Sequence, residues 1–198
     1  MGKRLGGLEM DVLEAIQARR SNGQVTDKPV PKELIEKILE AGTWAPCHFR
    51  TEPWKFFVMQ GDSRRSLGQV LAEIAKKGMD DPTSESNQKK LENILEKPFR
   101  APVIITVAVE PDKKSEKAII LEEYGAVFAA IQNMLLAAHS LGLACIWRTG
   151  KPTYDPLMKE HFGLSEKGDV LGFLYIGYPK KEIPAVNRKP IAEVTTWL

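Results

Sequence analysis

The chain has 198 residues, 43% hydrophobic and 27% charged, which suits one domain with a real core and excludes a disordered or fibrous chain. A formal net charge of +2 gives no electrostatic reason for a nucleic-acid or acidic-membrane partner, and two cysteines, Cys47 and Cys145, argue against a secreted disulfide framework. No apolar segment approaches the ~20 residues that span a bilayer, so the expected location is the cytoplasm.

The basic start, Met-Gly-Lys-Arg-Leu-Gly-Gly, has no apolar run behind it, unlike a secretory signal, and carries Gly6 where a myristoylation signal has Ser or Thr. Residues 1–7 read as a loose extension of a single domain. Leu8, Val12, Leu13 and Ile16 share one face of a first helix that ends near the turn at 19–23. Pro31 suits the first position of a second helix, with Leu34, Ile35, Ile38 and Leu39 as its apolar stripe. Trp54 to Met59 reads as a strand. Asp62 or Ser63 can cap a third helix that points Leu67, Val70, Leu71 and Ile74 inward and stops at Gly78. Residues 80–88 read as a polar, flexible surface loop, followed by a short helix carrying Leu91, Ile94 and Leu95.

Val103 to Val109 is nearly continuous apolar and β-branched sequence, as expected of a strand buried on both faces. Residues 117–141 read as the longest helix. Tyr124, Val127, Phe128, Ile131, Met134, Leu135 and Ala138 make so wide an apolar arc that a partner subunit would help to cover it. Ala144 to Arg148 reads as a strand, 154–162 as a short helix and Val170 to Tyr178 as a central strand. The tail 180–198 is rich in Pro and Lys, yet its Val194 and Trp197 suggest that it docks somewhere. The order is that of a mixed α/β domain around a central sheet, which the tail can complete.

Several chemistries lack their motifs. There is no G-x-G-x-x-G after a strand, no P-loop, no H-E-x-x-H, no C-x-x-C and no G-x-S-x-G. His48, His139 and His161 are too scattered to suggest a metal site. An enzyme built on this chain would take its chemistry from an organic cofactor.

Three groups remain. Arg19, Arg20 and Ser21 stand where the first helix ends, where they can bond a phosphate or a flavin carbonyl edge, or simply cap the helix dipole. Ala45-Pro46-Cys47-His48 leads into Pro53-Trp54 as a helix-to-strand loop. The adjacent Cys47 and His48 could suggest a nucleophile and its base, although neighbours in sequence rarely face each other. Trp147, Arg148 and Thr149, before Gly150, end a strand, a preferred ligand position in α/β sheets. They can meet a phosphate or a ring edge, or be an ordinary strand end.

In order and spacing these groups carry a resemblance from about Met10 to the C-terminus. It rests on Arg-Arg-Ser, on Ile-Leu-Glu-Ala-Gly-x-x-Ala-Pro-x-His leading to Pro-Trp-x-Phe-Phe-Val, and on Phe99-Arg-Ala-Pro-Val-Ile-Ile-Thr-Val. Ile146-Trp-Arg-Thr-Gly and Gly172-Phe-Leu-Tyr-Ile-Gly-Tyr-Pro complete it. The chain resembles the nitroreductase family of FMN-dependent oxidoreductases, and within it a compact bacterial subgroup. The resemblance implies an α+β fold with a central mixed sheet flanked by helices, in a domain-swapped homodimer with FMN in each interface cleft and residues 180–198 docked on the partner.

By the same resemblance Arg19, Arg20 and Ser21 would hold the FMN phosphate and the pyrimidine side of the ring. Trp147, Arg148 and Thr149 would line the same cofactor, and Trp44 and His48 would reach it from the other subunit. The helix end Ala137, Ala138, His139, Ser140, Leu141 and Gly142 is the candidate for nicotinamide contact. The compact subgroup often has arginine where this chain has Trp44, so a polar contact there would be lost or replaced by stacking. The flavin carries the chemistry, no metal is implied, and no side chain stands out as a general acid. The implied activity is ping-pong transfer of hydride from NADH or NADPH to a nitroaromatic, quinone or similar acceptor. Reduction of activated C=C bonds, removal of halogen and a non-catalytic flavin sensor or carrier are the alternatives. Cations beside the phosphate and the N1–O2 edge would both bind FMN and ease its reduction.

Overall fold

The computed structural model describes residues 10–111 and 117–198, so the expectations for residues 1–7 and for Leu8 lie outside it. Sequence order gives α1 (Val12–Ala18), α2 (Lys32–Thr43), β1 (Trp54–Gln60), α3 (Arg64–Lys76) and α4 (Glu85–Glu96). Then come β2 (Val103–Val109), α5 (Ile120–Ser140), β3 (Ala144–Arg148), α6 (Pro156–His161) and β4 (Asp169–Gly177).

All seven residues of β2 are buried, and the strand sits inside a sheet ordered β1-β2-β4-β3. Every strand pairing is antiparallel, which corrects the expected mixed sheet. Among the described residues the parallel element is the single bridge between Ser21 and Cys145. The unbroken apolar runs in β2 and β4 come from helices covering both faces, a pattern also produced by parallel strands. On one face Val103, Ile105 and Val107 pack with Ile35 and Ile38 of α2 and with Ile131 and Met134 of α5. On the other, Ile104 and Ala108 pack with Leu67 and Val70 of α3 and with Met158 of α6.

The backbones of α2 and α5 approach closely because Gly42 has no side chain. A Cβ there would stand 3.0 Å from Met134 Cγ and 3.1 Å from Phe56 Cζ. Helix α5 has 21 residues, about 31 Å, somewhat shorter than the expected 117–141. Residues 80–88 are not one loop. Helix α4 begins at Glu85, with Glu85 and Lys89 paired across one turn and Leu91 as its buried anchor. Its polar residues are the solvated face of an amphipathic helix.

The first helix also departs from expectation. Its buried residue is Ala15, whereas Val12, Leu13 and Ile16 are 61%, 64% and 50% exposed. Ile119, Ile120, Leu121 and Phe128 are exposed around the start of α5 as well. The hydrophobic period is present, but among the described residues nothing covers it, as at an interface. In the tail, Val194 and Trp197 are exposed and no strand forms, so the tail does not complete its own sheet.

Across one edge of the core the Tyr124 hydroxyl donates to the Asp169 carboxylate, which also pairs with Lys159 at 3.2 Å. Burial, then the bond and charge of Asp169, push the Tyr124 pKa up to about 12. The folded value lies above the unfolded value of ~10, so this stabilisation is complete below pH ~10 and is lost as pH rises through about 12. Tyr124→Phe is expected to cost about 1 kcal/mol at neutral pH and to flatten the alkaline decline in stability, measured by urea unfolding across pH.

Candidate functional site

Helix α1 ends at Ala18, and the chain after it is pinned between β3 and the tail. The Asn22 amide donates to Cys145 O at 3.1 Å, and the Asn22 side chain donates to Lys181 O at 3.0 Å while accepting from Gln24 N at 2.9 Å. Asn22 is 7% exposed, and these bonds satisfy it. The turn encloses a cavity of about 420 Å³ whose walls include Arg19, Arg20, Asn22, His139, Cys145 and Lys181.

The two arginines behave differently, which divides the two roles open to them in the sequence. Arg20 Nη1 donates to the carbonyls of Gln17 and Arg19, and its Nε to Pro184 O at 3.3 Å. Arg20 therefore caps α1 and ties it to the tail. Arg19 Nε is buried without a partner. A buried guanidinium N–H with no acceptor is costly, so this atom suits an anionic or carbonyl ligand in the cavity. His139, from the last turn of α5, adds a second such atom, since its Nε2 is also buried and unpartnered. Burial first, then the charges of Arg19 and Arg20, hold the His139 pKa below its ordinary value.

At the far end of β3, Trp147, Arg148 and Thr149 share a second cavity of about 430 Å³ with Lys97, Arg100 and Tyr175. The Trp147 indole donates to Leu171 O at 3.1 Å, and its ring lies 5.8 Å from that of Phe128. The Arg148 guanidinium lies over the Tyr175 ring at 5.2 Å, with its Nε buried and unpartnered. Burial pushes the Tyr175 pKa up, against the pull of Arg148 and Arg100. Gly23 lets the turn after α1 pack against this end of β3, because a Cβ there would meet Ile146 Cγ2 at 3.1 Å and Arg148 Nη2 at 3.2 Å. Of the two arginines with orphaned Nε atoms, Arg148 thus ends the edge strand β3 and Arg19 stands two residues before Ser21, which bridges Cys145 on that strand.

Trp44 and His48 line neither cavity. Trp44 caps the end of α2 and is 79% exposed. His48 stacks on Phe49 with centroids 3.8 Å apart, and its Nδ1 lies 2.6 Å from Glu122 Oε2. Thr51 donates to Glu123 Oε1 at 2.6 Å, so the loop is clipped twice to the first turn of α5. These clips offset backbone strain, since Phe49, Arg50 and Glu52 all hold positive φ. The Cys47 sulfur lies 3.2 Å from Thr51 Oγ1 and accepts from Glu52 N at 3.2 Å, so these contacts do not make it the partner of the His48 ring. Burial pushes the Cys145 thiol up, away from thiolate chemistry.

From the helix end Ala137 to Gly142, His139 and Gly142 face the first cavity, whereas Ala138 is fully buried and presents no surface to a ligand. Sequence reasoning did not single out Asn22, Arg100 or Lys181. Asn22 directly follows Arg-Arg-Ser, but its importance comes from pairing with the distant Lys181. Among the described residues no three acidic, His or Cys side chains could hold a metal ion, and no helix is long and apolar enough to cross a membrane.

The sequence profile of the Nitroreductase family matches residues 16–178. The Escherichia coli (strain K12) protein YdjA, provisionally named an NAD(P)H nitroreductase, is 36% identical over 171 residues, covering 86% of this chain and 90% of that protein. A crystal structure of a nitroreductase-like family protein from Bacillus cereus superposes with a TM-score of 0.80 at 31% identity, covering 98% of this chain and 99% of the other. A protein from Desulfovibrio desulfuricans, provisionally named a nitroreductase and crystallised with FMN, gives a TM-score of 0.70 at 29% identity over 94% of this chain and 96% of its own.

Proposed function

Since the chain belongs to the nitroreductase family, we propose that it is an FMN-dependent oxidoreductase that moves two electrons from NADH or NADPH to an electron-poor small molecule such as a nitroaromatic or a quinone. The observation that carries this reading is the buried, unpartnered Nε of Arg19, a residue that lines a cavity of about 420 Å³. Together with the similar Arg148 Nε toward the other end of β3, it suits an elongated ligand with an anionic tail and a ring rich in acceptors. Bound FMN supplies the hydride and electron transfer.

The protein's part is binding and electrostatics. Arg19 holds the phosphate, with Arg20 and Ser21 shaping the turn around it. Trp147, Arg148 and Thr149 hold the ring edge. Arg148 places positive charge where it makes reduction easier. Trp44 and His48, outside both cavities of their own protomer, reach the cofactor of a second copy. The exposed faces of α1 and α5 (Leu13 and Leu121 among them) support that pairing, because they are apolar and uncovered. Nicotinamide and acceptor use the same open space in turn, in keeping with the missing dinucleotide motif.

The test is the visible spectrum of the protein with FMN, followed by anaerobic NADH and NADPH and then a panel of nitro, quinone, activated C=C and halogenated acceptors. The expected result is a flavin band near ~450 nm, bleached by a nicotinamide nucleotide and restored over many turnovers by an acceptor. A protein that stays colourless and oxidises neither nucleotide with any acceptor overturns the reading. A single stoichiometric bleaching without turnover marks a sensor or carrier.

A further inference from the structure

We propose, resting on the FMN reading above, that His139 is a second ligand of the FMN phosphate beside Arg19 and takes up a proton from solvent when that phosphate binds. The two orphaned atoms of the first cavity carry this. Arg19 Nε and His139 Nε2 come from different elements, both are buried, neither has a partner, and both residues line the same space. One lone orphan can be an accident of packing. Two unpartnered nitrogens on residues that line one cavity, beside a further arginine, suit a multivalent oxyanion, which a phosphate supplies with three acceptor oxygens.

The charges around His139 set the direction of proton movement. From the α1 end it faces Arg19 and Arg20, with Glu14 as the opposing charge on α1. Cys145 on β3, held protonated by burial, contributes no charge, and the tail places Lys181 and Glu182 at the cavity wall as an opposed pair. In the free protein, burial and the two arginines favour neutral imidazole. A phosphate of nearly −2 charge reverses that balance, and the imidazolium becomes the favoured form. The group then acts at neutral pH as a proton-coupled clamp that discriminates FMN from riboflavin, the same ring without the phosphate.

The experiment is calorimetric titration of the apoprotein at about pH 7.5 in two buffers of different ionisation enthalpy, with FMN and with riboflavin. A wild-type protein that takes up a substantial fraction of a proton per FMN and none per riboflavin supports the proposal. His139→Gln, which keeps a neutral donor, is expected to lose the uptake and to bind FMN about tenfold more weakly with riboflavin unchanged. Because a variant can perturb folding, the imidazole resonance of His139 is also followed by NMR in the wild-type protein, where FMN must raise its midpoint. Equal proton uptake by wild type and His139→Gln, or an imidazole midpoint unmoved by FMN, overturns the proposal. So does intact FMN binding combined with a raised KM for NADPH, which would give His139 to the nicotinamide nucleotide. If FMN and riboflavin bind equally well to both proteins, the phosphate placement itself has failed, a different result from loss of the proton alone.

Discussion

Arg19→Ala is expected to weaken FMN binding by about 1.5–3 kcal/mol, roughly ten- to 150-fold, and to leave riboflavin binding within about twofold of the parent. The size follows from what the substitution removes. Arg19 Nε makes no bond among the described residues, so little folding energy depends on it, while a buried charge-assisted bond to phosphate would be lost outright. Arg20→Ala is the informative contrast. Its side chain holds the carbonyls of Gln17 and Pro184, so the loss falls on the end of α1 and the tail, and appears in stability as well as in affinity. Fluorescence titration with the two flavins, beside urea unfolding of each apoprotein, separates the outcomes. An Arg19→Ala protein that keeps parental FMN affinity would remove the phosphate from this cavity.

Gly172→Ala is expected to destabilise the fold by about 3 kcal/mol or more and to strip the protein of flavin at the same time. Gly172 has φ of +147°, and a Cβ there would lie 2.1 Å from Trp147 Nε1 and 2.9 Å from Arg148 O. Those neighbours are an indole fixed by a hydrogen bond and a strand carbonyl, and neither can retreat without cost. The register explains the crowding. Val107 pairs with Gly172 and Ala108 with Val170, so the bulge leaves Leu171 as the extra residue and its carbonyl free to accept the Trp147 indole N–H. One added methyl therefore strikes the bulge, the indole and the strand end that presents Arg148 and Thr149. Thermal unfolding, with FMN content of the purified protein measured in parallel, checks both halves of the expectation. A variant with parental stability and full flavin would mean that β3 and β4 can slide apart cheaply.

Much of the scaffold can be read from residue order alone, for reasons that also mark where reading stops. Val103 to Val109 announces a buried strand because helices cover it on both sides, but burial carries no information on strand direction, and the antiparallel pairing had to be seen. Val12, Leu13 and Ile16 announce a helical face correctly. What covers that face is not encoded in its period, and among the described residues nothing does. Glu85 to Gln88 looks like loop because the apolar anchors of its helix come only later, at Leu91 and beyond.

The cavities illustrate the same limit. Arg19 and Arg20 are adjacent and chemically identical, so no sequence argument can assign one to the backbone and the other to open space. The division depends on which guanidinium reaches the carbonyls of Gln17 and Pro184. Asn22 gains its weight from Lys181, 159 positions away. His48 is legible within a motif and Trp44 as a departure from the subgroup's pattern, but their position outside both cavities is a fact of three dimensions.

The bare flank formed by α1 and the start of α5 has a consequence for the protein's life before it ever meets a substrate. Under the pairing proposed above, a newly made protomer carries Leu13 and Leu121 exposed to water until its twin arrives. Mass action then makes durability a property of abundance: scarce chains persist as sticky halves open to chaperones and proteases, and plentiful ones shelter each other.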